Sequence, residues 1–139
     1  MKGKIFLDSN ILVYLFSTTE VVKSEQINTI IQTYSDKNQL VWSTQVIQEF
    51  YAVMSRKYNV PSLQIKKIID TFSHLECVVN DVAIIKSAID IQVIHQLSFR
   101  DSLIISSAKT SKCTYLLSQD LNAGQRIEGI QVVNPFLTK

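Results

Sequence analysis

Four acidic residues lie in apolar surroundings where a carboxylate is unexpected: Asp8, Glu49, Asp101 and Asp120. Asp8 directly follows one short apolar run, and Asp120 follows another after two residues. Glu49 and Asp101 are spaced so that each would share a helix face with aliphatic side chains. Because burying an unpaired ionised carboxylate is costly, these residues indicate either basic partners or a bound cation.

Each acid also has an ordinary structural explanation. Aspartate is a favoured helix N-cap, which would account for the three aspartates taken one at a time. Glu49 would lie inside a helix, where an ion pair with Arg100 or Arg126 would account for it. A permanent arginine contact of that kind would argue against an enzymatic role for the acids.

The elements that would position these acids alternate along the chain. Short apolar runs predict buried strands at residues 4–7, 40–43, 114–117 and 130–133, and more weakly at 77–79. Helical spacing of apolar residues predicts helices at 11–16, 21–34, 45–57, 62–75, 82–97 and 102–111. This alternation predicts an α/β fold, a three-layer α/β/α sandwich with a central parallel sheet.

Such a sheet would bring the four acids together. We expect the three aspartates at or just after the carboxyl ends of strands, and Glu49 on the helix that follows the second strand. Ligands of these folds bind at that edge, near the point where the strand order reverses. Four negative charges in one cleft would repel one another, and a divalent cation with oxygen ligands would relieve the repulsion. We therefore predict a metal site that acts on a phosphate-bearing substrate.

The composition narrows the class of protein. A length of 139 residues predicts one domain over residues 1–139, and 46% apolar residues suffice for a folded core. The net charge of +2 permits a nucleic-acid partner without requiring one. The two cysteines form no C-x-x-C pair, which favours a reducing compartment. No apolar run approaches about 18 residues, so we expect a cytoplasmic protein without a membrane span.

The four acids fall in the segments IFLDSNIL (5–12), STQVIQEFY (43–51), LSFRDSLI (97–104) and LLSQDL (116–121). In residue types, order and spacing these segments resemble the motifs of the PIN domain family, in particular its VapC-type toxin ribonucleases. The tail at 129–136 is similar to that of bacterial members. Two positions depart from the pattern: Arg100 stands where relatives often have an aromatic residue, and Gln119 where they often have glutamate. The second change would weaken binding of a second metal ion.

The resemblance implies a PIN-like nuclease domain that cleaves single-stranded RNA with Mg²⁺ or Mn²⁺ as its cofactor. Asp8 and Asp101 would contact the metal directly, and the other two acids directly or through water. Asn10 and Ser118 would hold the carboxylates in place, unless they are ordinary cap or turn residues.

The resemblance also implies partners. The protein would be the toxin of a toxin–antitoxin pair, a homodimer whose cleft is covered by a small antitoxin protein. Because an acidic site repels RNA, nearby cations would have to bind the strand. The candidates by sequence proximity are Arg100, Arg126, Lys109 and Lys112, although each is also readily explained as a solvated surface charge.

Other functions remain as alternatives. The main one is a non-catalytic module of the same fold that binds RNA or protein, which the four intact acids disfavour. A haloacid dehalogenase-type enzyme needs Asp-x-Asp after the first strand, whereas this chain has Asp8-Ser9-Asn10. A receiver domain needs an acceptor aspartate after a middle strand, and none follows the strand that ends at Ser43. A Rossmann or P-loop enzyme needs a glycine-rich loop, which this sequence lacks.

Overall fold

The computed structural model describes residues 1–35, 37 and 39–137. Over these residues, strands and helices alternate for most of the chain. Their order is β1 (Lys4–Leu7), α1 (Ser9–Leu15), α2 (Val21–Ser35), β2 (Leu40–Ser43), α3 (Thr44–Arg56), α4 (Ser62–Thr71), β3 (Glu76–Val78), α5 (Val82–His95), α6 (Phe99–Thr110), β4 (Cys113–Leu117), β5 (Arg126–Ile127) and β6 (Ile130–Val133).

The strands form one sheet in the order β3-β2-β1-β4-β6-β5. All neighbouring pairs are parallel except β5 and β6, which form an antiparallel hairpin. The chain steps from β1 to β2 to β3 in one direction and then crosses back to β4, so the strand order reverses between β1 and β4. Because such crossovers are right-handed, α1 to α4 cover one face of the sheet and α5 and α6 cover the other. The predicted fold class is confirmed.

The two central strands, β1 and β4, end in apolar residues because helices cover both faces of the sheet. Ile5, Phe6 and Leu7 of β1 are fully buried, and so are Leu116 and Leu117 of the neighbouring β4. The polar residue that follows each of these strands therefore emerges from a rigid, dry core. Asp8 is in this setting directly after β1, whereas Ser118 is the residue that follows β4, and Asp120 lies two positions further along in the loop.

All the predicted elements are present, with bounds that differ by a few residues, but some expectations for Asp101 and Asp120 were wrong. Helix α6 begins at Phe99, so Asp101 lies in its first turn and follows no strand. The N-cap of α6 is Ser98, whereas Asp8 does cap α1 as proposed. No helix follows Asp120 among the described residues, so capping does not explain that residue. The two-residue strand β5 was not predicted.

Helix α5 carries an apolar face that the rest of the described chain leaves uncovered. Val82, Ile85, Ile89 and Val93 recur at helical spacing and are all exposed. Among the described residues no single helix is long and apolar enough to cross a membrane, and only the pair α5 and α6, bent by 117°, reaches that length and composition together.

Candidate active site

Asp8 is the most deeply buried acid of the site. It follows β1 at the centre of the sheet, and its side chain is fully buried. Its Oδ1 accepts a hydrogen bond of 2.7 Å from the backbone N–H of Ser9, and its Oδ2 accepts one of 2.7 Å from the hydroxyl of Ser118. Two uncharged donors, one just after β1 and one just after β4, therefore hold the carboxylate in a fixed orientation.

Glu49 reaches the same place from helix α3. The side chain of Ser43 caps this helix by accepting from the backbone N–H of Val46 at 3.3 Å, so α3 begins directly at the end of β2. Glu49 then lies on the second turn, where the hydroxyl of Ser9 donates to its Oε1 at 2.9 Å. Gln45, one turn earlier, donates to its Oε2 at 3.4 Å. Ser9 thus connects the second acid to the first.

Asp101 and Asp120 complete the group. Asp101 is fixed in the first turn of α6, where the side chain of Ser98 accepts from its backbone N–H at 3.1 Å. Asp120 lies in the loop after β4 and has 54% of its side chain exposed. Partial burial, together with the negative charge of Asp8, raises the pKa of Asp120, although the charge of Arg100 opposes the shift.

The guanidinium of Arg100 lies among all four acids. Its Nη2 is 2.6 Å from Oδ1 of Asp8 and 2.7 Å from Oε1 of Glu49. Its Nη1 is 3.0 Å from Oδ1 of Asp101 and 3.7 Å from Oδ2 of Asp120. The side chain of Arg100 is 32% exposed, so it is partly accessible to solvent. The structure therefore confirms that the acids converge and shows an arginine at their centre.

Arg100 was assigned to RNA binding from the sequence, but in the structure its side chain is engaged by carboxylates. Burial alone would lower the pKa of its guanidinium, yet the hydrogen bonds and charges of Asp8 and Glu49 outweigh burial and raise it above its usual value. This is also the arginine contact that, if permanent, would argue against an enzyme. Whether it is permanent therefore decides how the site functions.

The donor atoms suit a hard divalent cation, but their present spacing suits a guanidinium. Carboxylate oxygens are the ligands that Mg²⁺ prefers, at about 2.0–2.1 Å from the ion. The acids instead lie 2.6 to 3.7 Å from the nitrogen atoms of a wider planar group. Consistently, in the described part of the chain no three His, Cys, Asp or Glu side chains are close enough to hold a metal ion as they stand. The Arg100 guanidinium already occupies the carboxylate cluster, which shows that the cluster binds a positively charged group.

The two residues expected to support the carboxylates differ in their contacts. Ser118 is fully buried and bridges the site, donating to Asp8 and accepting from the backbone N–H of Asp120 at 3.2 Å. Asn10 lines the cleft, and its amide nitrogen and oxygen are buried without a hydrogen-bond partner among the described residues. Ser9 was not singled out from the sequence. Its position directly after the strand-end acid was the available signal.

The other predicted RNA-binding cations lie away from the acids. Lys109 is near the carboxyl-terminal end of α6, eight residues or about 12 Å along the helix from Asp101. It forms an ion pair of 2.8 Å with Glu128. Lys112 immediately precedes β4, whereas the acids gather where the central strands end. Arg126 lies on β5, at the outer edge of the sheet. The structure does not bring these three to the site.

A cleft of about 280 Å³ lies next to the acids and contains a cation that the sequence analysis missed. The residues that line it include Ser9, Asn10, Asp120, Lys57 and Tyr58. Lys57 directly follows the helix that carries Glu49. A basic and an aromatic residue together at that helix end were the signal that could have identified this surface.

Comparison with known proteins agrees with this geometry. The model of the PIN domain family matches residues 5–126 of the chain. This range includes all four acids and Arg100. Among curated proteins, none matches the chain in sequence.

Several solved structures share the fold. A toxin–antitoxin complex from Klebsiella pneumoniae is 20% identical with a TM-score of 0.72, covering 96% of this chain and 98% of that one. VapBC2 from Rickettsia felis, bound to a promoter DNA fragment, is 17% identical with a TM-score of 0.70, covering 92% and 96%. The sarcin-ricin loop cleaving toxin VapC20 of Mycobacterium tuberculosis is 14% identical with a TM-score of 0.64, covering 84% and 92%.

Proposed function

This chain belongs to the PIN domain family, and from that premise we propose that it is a metal-dependent endoribonuclease of single-stranded RNA. The nuclease domain would extend over residues 1–139. The observation that carries the proposal is the convergence of four carboxylates from β1, α3, α6 and the loop after β4 around one cation position. The toxins with which the chain shares its fold support the choice of RNA as substrate.

In this proposal the residues of the cleft have distinct roles. Asp8 and Asp101 would hold a Mg²⁺ or Mn²⁺ ion directly, and Glu49 and Asp120 directly or through water. A bound ion of this kind supplies an activated water for in-line attack on phosphorus and positive charge near the leaving oxygen. Ser118 would keep Asp8 oriented through the 2.7 Å hydrogen bond, so that little reorganisation is needed when a cation binds.

The substrate needs positive charge and base-stacking surfaces beside the acids. Lys57 and Tyr58 provide both in the cleft that Asp120 also lines. We include them in the proposal as a phosphate contact and a stacking surface for one nucleotide, because an aromatic ring stacks on any base. Arg126, Lys109 and Lys112 remain predictions from the sequence, and their positions offer no contact close to the acids.

RNA cleavage with and without EDTA tests the proposal. We expect the protein to cut a defined single-stranded RNA in Mg²⁺ or Mn²⁺ and to stop when EDTA removes the ion. Asp8→Asn should abolish cleavage, because a neutral amide is a poor metal ligand. Asp90→Asn is the matched control, since Asp90 is an exposed aspartate on α5, and it should cut normally. Cleavage that continues in EDTA or in Asp8→Asn would refute the proposal.

We also propose that the protein is the toxin of a toxin–antitoxin pair and forms a homodimer. Structures that share its fold are toxin–antitoxin complexes, which supports a small antitoxin partner that covers the cleft. A short reading frame upstream of this gene would be the expected antitoxin. In this proposal a second copy covers the exposed apolar face of α5, so Val93→Glu should convert a dimer into a monomer in light-scattering measurements.

One observation favours the alternative, a non-catalytic RNA- or protein-binding module. The ion pairs of Arg100 with all four acids would block the site if they persisted in the presence of metal. In that case the protein would bind no Mn²⁺ and cut no RNA. The EDTA and Asp8→Asn comparison therefore separates the two functions.

A further inference from the structure

The side chain of Arg100 is held almost entirely by groups that a metal ion would also use. Both oxygens of Asp8 accept from its terminal nitrogens, at 2.6 and 3.3 Å. Both oxygens of Glu49 accept from it as well, at 2.7 Å from Nη2 and 3.1 Å from Nε. These oxygens cannot hold the guanidinium in this way and surround a small ion at the same time.

The charges also permit only one occupant. Four carboxylates against one guanidinium leave the cluster with excess negative charge, which a divalent ion would compensate better than an arginine does. A second cation placed beside the guanidinium would be repelled by it at close range. The two cations therefore compete for the same position.

The side chain of Arg100 could leave the cluster without disturbing the fold. Its backbone is fixed, because Ser98 caps the helix in which it lies and its carbonyl accepts from Nε2 of Gln45 at 3.2 Å. The side chain of Arg100 is 32% exposed, and an arginine side chain has many rotamers. A change of side-chain rotamer would expose the four carboxylates and leave α6 in place.

We infer that Arg100 and a divalent metal ion are alternative occupants of the carboxylate cluster, and that metal binds only when this side chain swings out. The inference rests on the proposed function, because it requires the acids to take a metal. It assigns Arg100 a role as an internal competitor that lowers the affinity for the ion. The apparent metal affinity is then the intrinsic affinity multiplied by the fraction of molecules in which the arginine is out.

Mn²⁺ binding tests the inference without measuring RNA cleavage. The electron paramagnetic resonance signal of free Mn²⁺ disappears on binding, so titrations give dissociation constants for the wild type, Arg100→Gln and Arg100→Lys. If the arginine occupies the cluster about 90% of the time, Arg100→Gln should bind Mn²⁺ about tenfold more tightly. The melting temperature should show the same order: Mn²⁺ should raise it more in Arg100→Gln than in the wild type.

Two variants separate competition from a general effect of charge. Arg100→Lys keeps the positive charge but loses the planar fork that contacts several carboxylates at once, so it should still bind Mn²⁺ more tightly than the wild type. Lys57→Gln removes a positive charge from the neighbouring cleft and should change the affinity by less than about threefold. Arg100→Lys also provides the test if four unpaired acids prevent Arg100→Gln from folding.

Two results would overturn the inference, and they are distinguishable from each other. If both Arg100 variants bind Mn²⁺ no more tightly than the wild type, the arginine does not compete, although a metal-dependent nuclease remains possible. If no variant binds Mn²⁺ at all, the carboxylates do not form a metal site, and the proposed function fails with the inference.

Discussion

Ser118→Ala tests how far the active site depends on the hydrogen bonds of Ser118, because the substitution leaves all four acids in place. The hydroxyl of Ser118 is fully buried, donates to Asp8 at 2.7 Å and accepts from the backbone N–H of Asp120 at 3.2 Å. Alanine has nearly the same size, so the substitution removes hydrogen bonds and leaves little cavity. What is lost is one hydrogen bond to a buried carboxylate and one to a backbone donor.

The size of the effect follows from these contacts. A hydrogen bond to a charged group contributes about 1.5–3 kcal/mol, against about 0.5–1.5 kcal/mol for a neutral pair. We therefore expect Ser118→Ala to lower the free energy of unfolding by about 2 kcal/mol. A chain of 139 residues has an unfolding entropy of about 0.3 kcal/mol per kelvin, so the melting temperature should fall by about 7 °C. Because Asp8 loses its orientation, Mn²⁺ affinity and RNA cleavage should each fall about 10- to 100-fold.

Ser106→Ala is the matched control for this experiment. Ser106 is equally buried, but its hydroxyl donates at 2.9 Å to the neutral carbonyl of Ile84, away from the acids. Its melting temperature should fall by less than that of Ser118→Ala, and its cleavage of RNA should be unchanged. The reasoning fails if Ser118→Ala melts within about 1 °C of the wild type, or if it cuts RNA as fast as the wild type.

Three further predictions concern other parts of the molecule. Hydrogen bonds from its lysine and histidine partners lower the pKa of Glu128 from 4.5, so its stabilisation is complete above that pH and is lost as the pH falls through the folded-state pKa. Glu128→Gln should therefore cost about 0.5 kcal/mol in denaturant unfolding at pH 7, and progressively less as the pH falls below 4.5; a difference that does not shrink in acid would contradict this. Lys57→Ala should weaken binding of single-stranded RNA a few-fold and reduce the salt dependence of binding. The control variant Lys67→Ala, at an exposed lysine, should do neither. Equal effects of the two variants would exclude the cleft as an RNA contact. Leu116→Ala should lower the free energy of unfolding by about 2–5 kcal/mol in the same assay. The control Leu63→Ala, at an exposed leucine, should lower it by less than about 0.5 kcal/mol. A small loss at position 116 would mean that β4 is not central to the core.

The sequence predicted the sheet well because parallel strands buried on both faces are short continuous apolar runs. The same property made Asp8 conspicuous, since a carboxylate directly after such a run must lie at the edge of the core. Glu49 and Asp101 were identified from helical spacing, although Asp101 was wrongly expected after a strand. The two-residue strand β5 was too short to produce any periodic pattern.

Two features of the site could not be predicted in this way. The position of the Arg100 guanidinium depends on side-chain rotamers, which neither composition nor spacing specifies. The sequence offered Arg100 both as an RNA contact and as an ion-pair partner of Glu49, and the structure shows the ion pair, extended to the other three acids. Lys109 was expected near the acids but lies far from them. A residue eight positions from Asp101 on a helix is close in sequence but about 12 Å away along the helix axis.

The sheet itself has consequences for how the protein can associate. Its two outer strands are only three and two residues long, so they present few unpaired backbone groups to another chain. Extension of the sheet from one molecule into the next is therefore a poor route to assembly or to fibrillar aggregation. We therefore expect other molecules to bind through the helices that cover the sheet. The side chains on those helices would then determine which partner binds.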